Sequence, residues 1–337
     1  GYLARCYTPA PHHDRRHYLH ANNPAGHDSR RRCRSDGRRT GRRCLGDVSQ
    51  LRPYTCRQVD LRAGTENNAL RSRLEFAVGT ARAAGEHALG YFRSTELVVE
   101  TKDDGSPVSR ADKEAEQLIR ASLEAAFPND AILGEEFGEQ SGNTGYRWYL
   151  DPVDGTDSFI RGVPLWGTMI GLELDGQPAA GVVSFPALDE IVWAGSGLGA
   201  WWANSVTPLQ EGETFPTEIR PARVSDVSEI GDAFMSTTSM RYFDEEGTTE
   251  DYNRVRLAVA DDRGWSDCYG ILLVATGRID IHIDPLMSVW DVAPMPSIIE
   301  EAGGRATDRA GNRGIDLKTL VATNGKLHDA VLELLNG

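Results

Sequence analysis

The chain has 337 residues, and its 36 Lys and Arg stand against 50 Asp and Glu, which gives a formal net charge of −14 at pH 7. Hydrophobic residues make up 40% of the chain, enough to bury a core, so the composition excludes wholesale disorder. The longest apolar runs, such as residues 270–277, are much shorter than the roughly 18 residues that cross a membrane, and we expect neither a membrane span nor a secretory signal.

The net charge divides between two unlike segments. Residues 1–64 contain fourteen Arg, five Asp and neither Lys nor Glu, a net charge of +9, so residues 65–337 carry −23. A surface of that sign repels polyanions, so we do not expect nucleic acid to be a partner of the acidic segment. This segment has one cysteine, Cys268, which favours a reducing cytoplasmic location over a disulfide framework.

Residues 1–64 show no hydrophobic periodicity of a helix or a strand. Their four cysteines lack the close pairs that zinc sites use. We therefore expect a disordered, Arg-rich extension that stays outside the fold. Two alternatives remain open: an arm that binds nucleic acid or an anionic surface, and an organelle-targeting peptide.

From residue 65 onward, the pattern predicts helices at both ends of a strand-rich middle. Apolar residues at a spacing of three to four predict a first helix from near Asn67 to Phe92. Ser109, followed by Asp112 three residues later, predicts a capping box for a second helix that ends near Phe127. The other predicted helices span about 267–276, 289–302 and 327–335, and the predicted strands are 97–100, 131–133, 147–150, 168–173, 180–185, 191–194, 200–203, 279–283 and 320–322. This order indicates an α+β or a layered α/β fold.

The most informative stretch is YLDPVDGTDSF at residues 149–159. Asp151 and Asp154 follow an apolar run, so both carboxylates leave the end of a predicted strand and can converge on one cation. The Val153 carbonyl can add a third oxygen, and Mg²⁺ prefers such oxygen ligands while keeping water positions for a substrate phosphate. The backbone N–H groups of Gly155 and Thr156, at a predicted helix start, suit a phosphate oxygen. The alternative interpretation is a solvated acidic turn.

Two further carboxylates share this setting. Glu135 follows the apolar run at 131–133, and Asp291 lies in the first turn of an apolar predicted helix. The helix dipole favours a carboxylate at the position of Asp291 even if that residue has no function. Three such places beside apolar residues predict that the acidic side chains gather at one buried metal centre.

These motifs resemble the inositol monophosphatase superfamily of Mg²⁺-dependent, lithium-sensitive phosphomonoesterases. The matching segments are GEE at 134–136, DPVDGT at 151–156, WDVAP at 290–294 and EAGG at 301–304, in the family order over about residues 67–335. The resemblance implies that residues 65–337 form one α/β (α+β) domain, a layered α-β-α-β-α sandwich of the inositol monophosphatase and fructose-1,6-bisphosphatase type. It also implies a homodimer.

The resemblance assigns roles to individual residues. It implies two or three Mg²⁺ per active site, and the implied ligands are Glu135, Asp151, the Val153 carbonyl, Asp154 and Asp291. Thr156, with Glu135 and Asp112, would orient or deprotonate the attacking water. Lys102 lies in a segment that matches a family loop closing over the metals.

Within the superfamily, the chain is most similar to the histidinol-phosphate phosphatases. The supporting segments are residues 154–164, Trp201–Trp202 and residues 265–270, with Ser158 where the common motif has Asn. The substrate would be a small phosphate monoester, and the implied contacts are Gly155, Thr156, Arg161, Trp265, Ser266, Asp267 and Asp284.

Several alternatives accompany the substrate assignment. Asp267 could instead cap a helix, and Arg161 could contact a neighbouring subunit or be a solvated turn residue. Inositol-1-phosphate, a sugar bisphosphate and a 3′-phosphoadenosine nucleotide are alternative substrates. A scaffold or a nucleic-acid binder acting through the Arg-rich extension is the non-enzymatic alternative.

Overall fold

A computed structural model describes residues 68–95, 97–102, 105–204, 218–265 and 267–337. The expected N-terminal extension, residues 1–64, lies outside the described residues, and so does Ser266. No helix in the described ranges is long and apolar enough to cross a membrane.

The first described elements form three helices, a two-stranded sheet and an eight-stranded sheet. The helices are α1 (Asn68–Leu89), α2 (Arg110–Ala126) and the short α3 (Thr156–Ile160). The strands are β1 (Val99–Thr101), β2 (Pro107–Ser109), β3 (Ala131–Gly134), β4 (Gly138–Gln140), β5 (Tyr146–Asp154), β6 (Gly167–Leu174), β7 (Gln177–Phe185), β8 (Glu190–Gly195), β9 (Gly199–Asn204) and β10 (Arg220–Pro221).

The remaining elements build a second sheet and the helices around it. The strands are β11 (Phe234–Thr237), β12 (Asp261–Arg263), β13 (Ile281–Asp284), β14 (Arg305–Thr307) and β15 (Leu320–Thr323). The helices are α4 (Met240–Glu245), α5 (Thr249–Ala258), α6 (Cys268–Ala275), α7 (Val289–Val292), α8 (Met295–Glu301) and α9 (His328–Asn336).

The sheets and helices stack in five layers. The large sheet has the order β10-β9-β8-β7-β6-β5-β3-β4, and the small sheet has the order β12-β11-β13-β15-β14. The α1–α2 pair packs on one face of the large sheet, and α6, α7 and α8 lie on its other face, between the two sheets. The helices α4, α5 and α9 share an apolar cluster with the outer face of the small sheet. The implied α-β-α-β-α sandwich is confirmed.

The sequence pattern located most of these elements, but it merged two of the helices. The single helix predicted over residues 289–302 is divided into α7 and α8. Pro294 and Pro296 have no N–H group, so neither can donate to the carbonyl four residues earlier. The series of α-helical hydrogen bonds is therefore interrupted between α7 and α8. The break lies at Ala293 and Pro294, two residues after Asp291.

Two glycines let this break approach the large sheet closely. A Cβ added at Gly171 of β6 would lie 2.5 Å from the Ala293 Cβ, and one added at Gly181 of β7 would lie 2.1 Å from the Pro294 carbonyl oxygen. Larger residues at either position would push α7 away from β5 and β6. The glycines therefore set the height of Asp291 above the sheet.

Candidate active site

Two neighbouring strands deliver acidic residues to the same edge of the large sheet. β3 and β5 are parallel, with Gly134 opposite Leu150, and the Glu135 N–H donates to the Leu150 carbonyl at 3.1 Å. Glu135 and Asp151 directly follow this pair, so they lie side by side at the same edge of the sheet. The sequence placed both residues after apolar runs, and the parallel pairing brings the two strand ends together.

An irregularity in β5 allows both of its aspartates to contribute to the site. Side chains three residues apart on a regular strand point to opposite faces. Asp151 pairs with Met169, whereas Asp154 pairs with Gly167, so β5 has one extra residue between the two pairs. Such a bulge redirects the chain, and carboxylate oxygens of Asp151 and Asp154 come within 4.8 Å of each other and of Asp291.

Asp291 reaches this cluster from the other side of the cleft. It is the third residue of α7, and one carboxylate oxygen accepts a hydrogen bond from the Ser288 N–H at 3.0 Å in a capping box. The helix start therefore holds Asp291 in one orientation. The same side chain therefore caps α7 and belongs to the cluster of three aspartates.

The three aspartates repel one another in a buried environment. Burial raises the pKa of Asp151 and Asp154 well above the usual value, and the neighbouring carboxylates raise both further. Burial, opposed by the Ser288 hydrogen bond, leaves the pKa of Asp291 at about 7. No Lys or Arg among the described residues forms an ion pair with any of the three. Oxygen ligands that repel each other without a counter-charge fit a hard divalent cation.

Glu135 lies beside this cluster and contacts a lysine. The Lys102 ammonium donates to Glu135 Oε1 at 2.7 Å and to Glu136 Oε1 at 2.6 Å. The two carboxylates hold the pKa of Lys102 above its usual value despite burial, whereas burial raises the pKa of Glu136 to about 7. Glu135 is not one of the three residues whose oxygens converge, although its charge raises the pKa of Asp151 and Asp291.

Thr156 and Asp112 meet at the floor of the site. The Thr156 hydroxyl lies 3.3 Å from Asp112 Oδ1 and 3.1 Å from the Val153 carbonyl oxygen, so either can accept its hydrogen. The other oxygen of Asp112 accepts hydrogen bonds from the Ser109 N–H at 2.9 Å and from the Ser109 hydroxyl at 2.6 Å. Asp112 therefore completes the predicted capping box of α2 and also lies within hydrogen-bonding distance of the Thr156 hydroxyl.

A cleft of about 610 Å³ opens above these groups. The predicted residues that line it are Glu135, Asp154, Gly155, Thr156, Asp267, Asp284 and Asp291. Two predicted contacts are not in its lining. The Arg161 guanidinium donates to the carboxylate and the carbonyl of Asp157, and the Trp265 ring stacks on Phe234 with 5.4 Å between ring centroids.

Asp267 takes an unusual backbone conformation at the edge of this cleft. Its φ of 55° and ψ of −152° are the mirror image of extended backbone, a region that glycine adopts far more easily than other residues. Its side chain makes no cap hydrogen bond to α6, and Oδ1 accepts from the Thr238 hydroxyl at 3.1 Å. Asp267 therefore stands at the N-cap position of α6 without a side-chain cap hydrogen bond, and the residue lines the cleft.

The sequence interpretation missed the contribution of the α4 region. Thr238, Ser239 and Tyr242 line the cleft opposite Thr156. Burial and the charges of nearby aspartates, Asp267 first among them, raise the pKa of the Tyr242 hydroxyl. The hydroxyl-rich run STTS at 236–239 would have been a usable signal only with knowledge that β11 ends beside β13, since nothing local marks it as part of a site.

The fold and this arrangement of residues define a known class of enzymes. A model of the inositol monophosphatase family matches residues 69–336. Among solved structures, an inositol monophosphatase from Zymomonas mobilis is 27% identical with a TM-score of 0.68, and the match covers 80% of this chain and all of that one. The chain belongs to the inositol monophosphatase family and is a phosphomonoesterase.

Relatives with higher identity carry a narrower name. A histidinol-phosphatase of Chlorobaculum parvum is 40% identical over 255 residues, which cover 75% of this chain and 93% of that protein. A histidinol-phosphatase of Mycobacterium tuberculosis is 40% identical over 265 residues, which cover 78% and 97%.

Proposed function

We propose that the chain hydrolyses L-histidinol phosphate to L-histidinol and phosphate in a Mg²⁺-dependent reaction, as a step of histidine synthesis in the cytoplasm. One observation carries the substrate assignment: Asp267 and Asp284 add two carboxylates to the cleft beyond the three that converge. Histidinol phosphate carries an ammonium and an imidazole on its leaving group, and such a group complements a negatively charged pocket. The similarity to two histidinol-phosphatases supports the same substrate.

The chemistry follows from the groups around the cleft. Glu135, Asp151, the Val153 carbonyl, Asp154 and Asp291 would hold two or three Mg²⁺, which supply an activated water and charge stabilisation for phosphoryl transfer. Asp112 or the Val153 carbonyl accepts the Thr156 hydrogen, so the hydroxyl lone pairs remain to accept a hydrogen bond from the attacking water. The N–H groups of Gly155 and Thr156 would bind the phosphate, and Lys102, held by Glu135 and Glu136, adds a positive charge at the rim.

The assignment is tested by steady-state phosphate release with Mg²⁺ and the 337-residue chain. We expect kcat/KM for L-histidinol phosphate to exceed that for inositol-1-phosphate by about 100-fold or more, which corresponds to nearly 3 kcal/mol of discrimination. A sugar bisphosphate and 3′-phosphoadenosine-5′-phosphate complete the panel. A preference for any of the other three esters would contradict the substrate, while leaving the phosphatase class intact.

Asp267 provides a second test, because the carboxylate and the backbone strain can be removed separately. Asp267→Ala and Asp267→Gly both delete the carboxylate, so we expect KM for histidinol phosphate to rise about tenfold in each, and more than KM for inositol-1-phosphate. Only glycine relieves the φ of 55°. The glycine variant should therefore exceed the alanine variant in unfolding free energy by about 1–2 kcal/mol. Equal KM changes for both esters would refute the role of Asp267 in substrate choice.

Two further properties are part of the proposal. We propose a homodimer, on the basis of the family resemblance, and sedimentation or light scattering would measure it. We also propose inhibition by Li⁺, on the same basis, which a titration against Mg²⁺ would test. Neither property is needed for the chemistry described above.

A further inference from the structure

A buried histidine lies behind the cleft and takes no part in the chemistry proposed above. His282 and Asp284 are two residues apart on β13, so both side chains lie on the same face of the small sheet. His282 is completely buried and Asp284 is 3% exposed. The His282 Nε2 lies 3.0 Å from Asp284 Oδ2, and we assign Nε2–H as the donor and the carboxylate oxygen as the acceptor.

The packing around the ring supports the same tautomer. The other ring nitrogen, Nδ1, has no hydrogen-bond partner among the described residues, and it faces Gly270 of α6 so closely that an added Cβ would lie 2.1 Å away. A lone pair on Nδ1 facing the glycine Cα–H is tolerable, whereas an N–H there would lose an acceptor. The tautomer with its hydrogen on Nε2 is therefore the form that fits.

Because His282 is buried, the one hydrogen bond of its side chain indicates why a histidine occupies this position. Burying an imidazole costs free energy unless it is hydrogen-bonded, and an apolar side chain would pack between α6 and β13 without that cost. The only hydrogen bond that the His282 side chain forms in the described structure leads to Asp284, which lines the cleft. The hydrogen bond to Asp284 is therefore the interaction that favours a histidine over an apolar residue at this position.

We propose that His282 is a positioning residue for substrate selection: its Nε2–H fixes the Asp284 carboxylate through Oδ2 and leaves Oδ1 to contact the leaving group, while Gly270 provides the space for the ring. The inference rests on the proposed function, because the leaving group held there is the cationic one. His282 touches no reacting atom, so its effect appears in substrate binding and not in the chemical step.

A double-mutant cycle tests the coupling between the two side chains. His282→Leu should raise KM for histidinol phosphate about tenfold while kcat changes less than about threefold, as expected for the loss of ground-state binding. Asp284→Asn should raise KM by at least as much. If His282 acts through Asp284, the double variant should have the KM of Asp284→Asn alone. His282→Gln can still donate an N–H and should recover part of the affinity.

A matched control separates positioning from general stability. His328 is also completely buried and is held by Thr307 and Thr323 at 2.9 and 3.0 Å, outside the lining of the cleft. His328→Gln should lower the melting temperature and leave KM unchanged. If His282→Leu fails to fold, the cycle is measured with His282→Gln and Asp284→Asn.

The outcomes distinguish this inference from the substrate proposal. Additive effects of the two substitutions, or an equal loss of kcat on every ester, would overturn the role of His282. A wild-type enzyme that prefers inositol-1-phosphate would refute the substrate, and the cycle would then be measured on that ester. Non-additive KM effects measured with inositol-1-phosphate would support the positioning role of His282 for a leaving group that is not cationic.

Discussion

Asp151→Asn should lower kcat/KM by about a thousandfold or more at saturating Mg²⁺. Asp151 is central to the cluster: it is 3% exposed, and one of its carboxylate oxygens lies within 4.8 Å of oxygens of Asp154 and Asp291. An amide keeps the shape but removes the negative charge, so the divalent cation loses its most buried ligand and several kcal/mol of transition-state stabilisation. Phosphate release over a range of Mg²⁺ concentrations measures the effect. Turnover within tenfold of the wild type would contradict the metal assignment.

The same variant should have the opposite effect on stability when no divalent cation is present. The wild type then holds three mutually repelling carboxylates, and removing one charge should stabilise it by on the order of 1 kcal/mol, or about 2–4 °C. Because burial raises the pKa of Asp291 to about 7, the native state binds its proton more tightly than the unfolded state does. The stability of the metal-free wild type should therefore fall as the pH rises through about 7, and less steeply in Asp151→Asn.

Adding Mg²⁺ should reverse the order of stability. A ligand that binds only the native state raises its unfolding free energy, so the wild type should gain stability with Mg²⁺ and Asp151→Asn should not. Asp316→Asn is the control, because the Asp316 side chain is 90% exposed and belongs to no buried cluster. It should follow the wild type in activity and in both thermal scans.

The sequence predicted the acidic half of this site because each carboxylate follows a recognisable local pattern. Asp151 and Asp154 leave an apolar strand, and Asp291 follows a helix cap, which are features that one short segment determines. What the sequence could not provide was the one-residue irregularity in β5 that turns Asp154 toward Asp151. That feature depends on the pairing with β6, which lies beyond a loop and a short helix.

The substrate side of the cleft was harder to predict, because distant segments build it. Thr238 and Tyr242 reach the site only because β11 pairs with β13, 46 residues away in the register Ser236–His282. The strained backbone of Asp267 likewise has no local marker, since glycine is the residue expected at such a φ. Trp265 illustrates the reverse case, where a residue close to the site in sequence stacks on Phe234 instead of lining the cleft.

Gly181→Ala adds only one methyl group, but we expect it to cause a large loss of stability. The new Cβ would lie 2.1 Å from the Pro294 carbonyl oxygen and 2.6 Å from its Cα, so it meets backbone atoms that cannot rotate away. Overpacking of this kind costs about 1–3 kcal/mol and sometimes more, which for a domain of this size lowers the melting temperature by roughly 2–12 °C. Thermal unfolding followed by circular dichroism measures it.

The same substitution should also weaken metal binding, because the junction of α7 and α8 carries Asp291. Moving Pro294 away from β7 lifts α7, and a shift of about 1 Å at a positioned group can cost on the order of a hundredfold in rate. Gly79→Ala is the matched control: it adds the same methyl group in the middle of α1, where nothing lies within 4 Å. That variant should gain up to about 1 kcal/mol from helix propensity and keep full activity. If both variants unfold at the wild-type temperature, the close approach at Gly181 does not determine the position of Asp291.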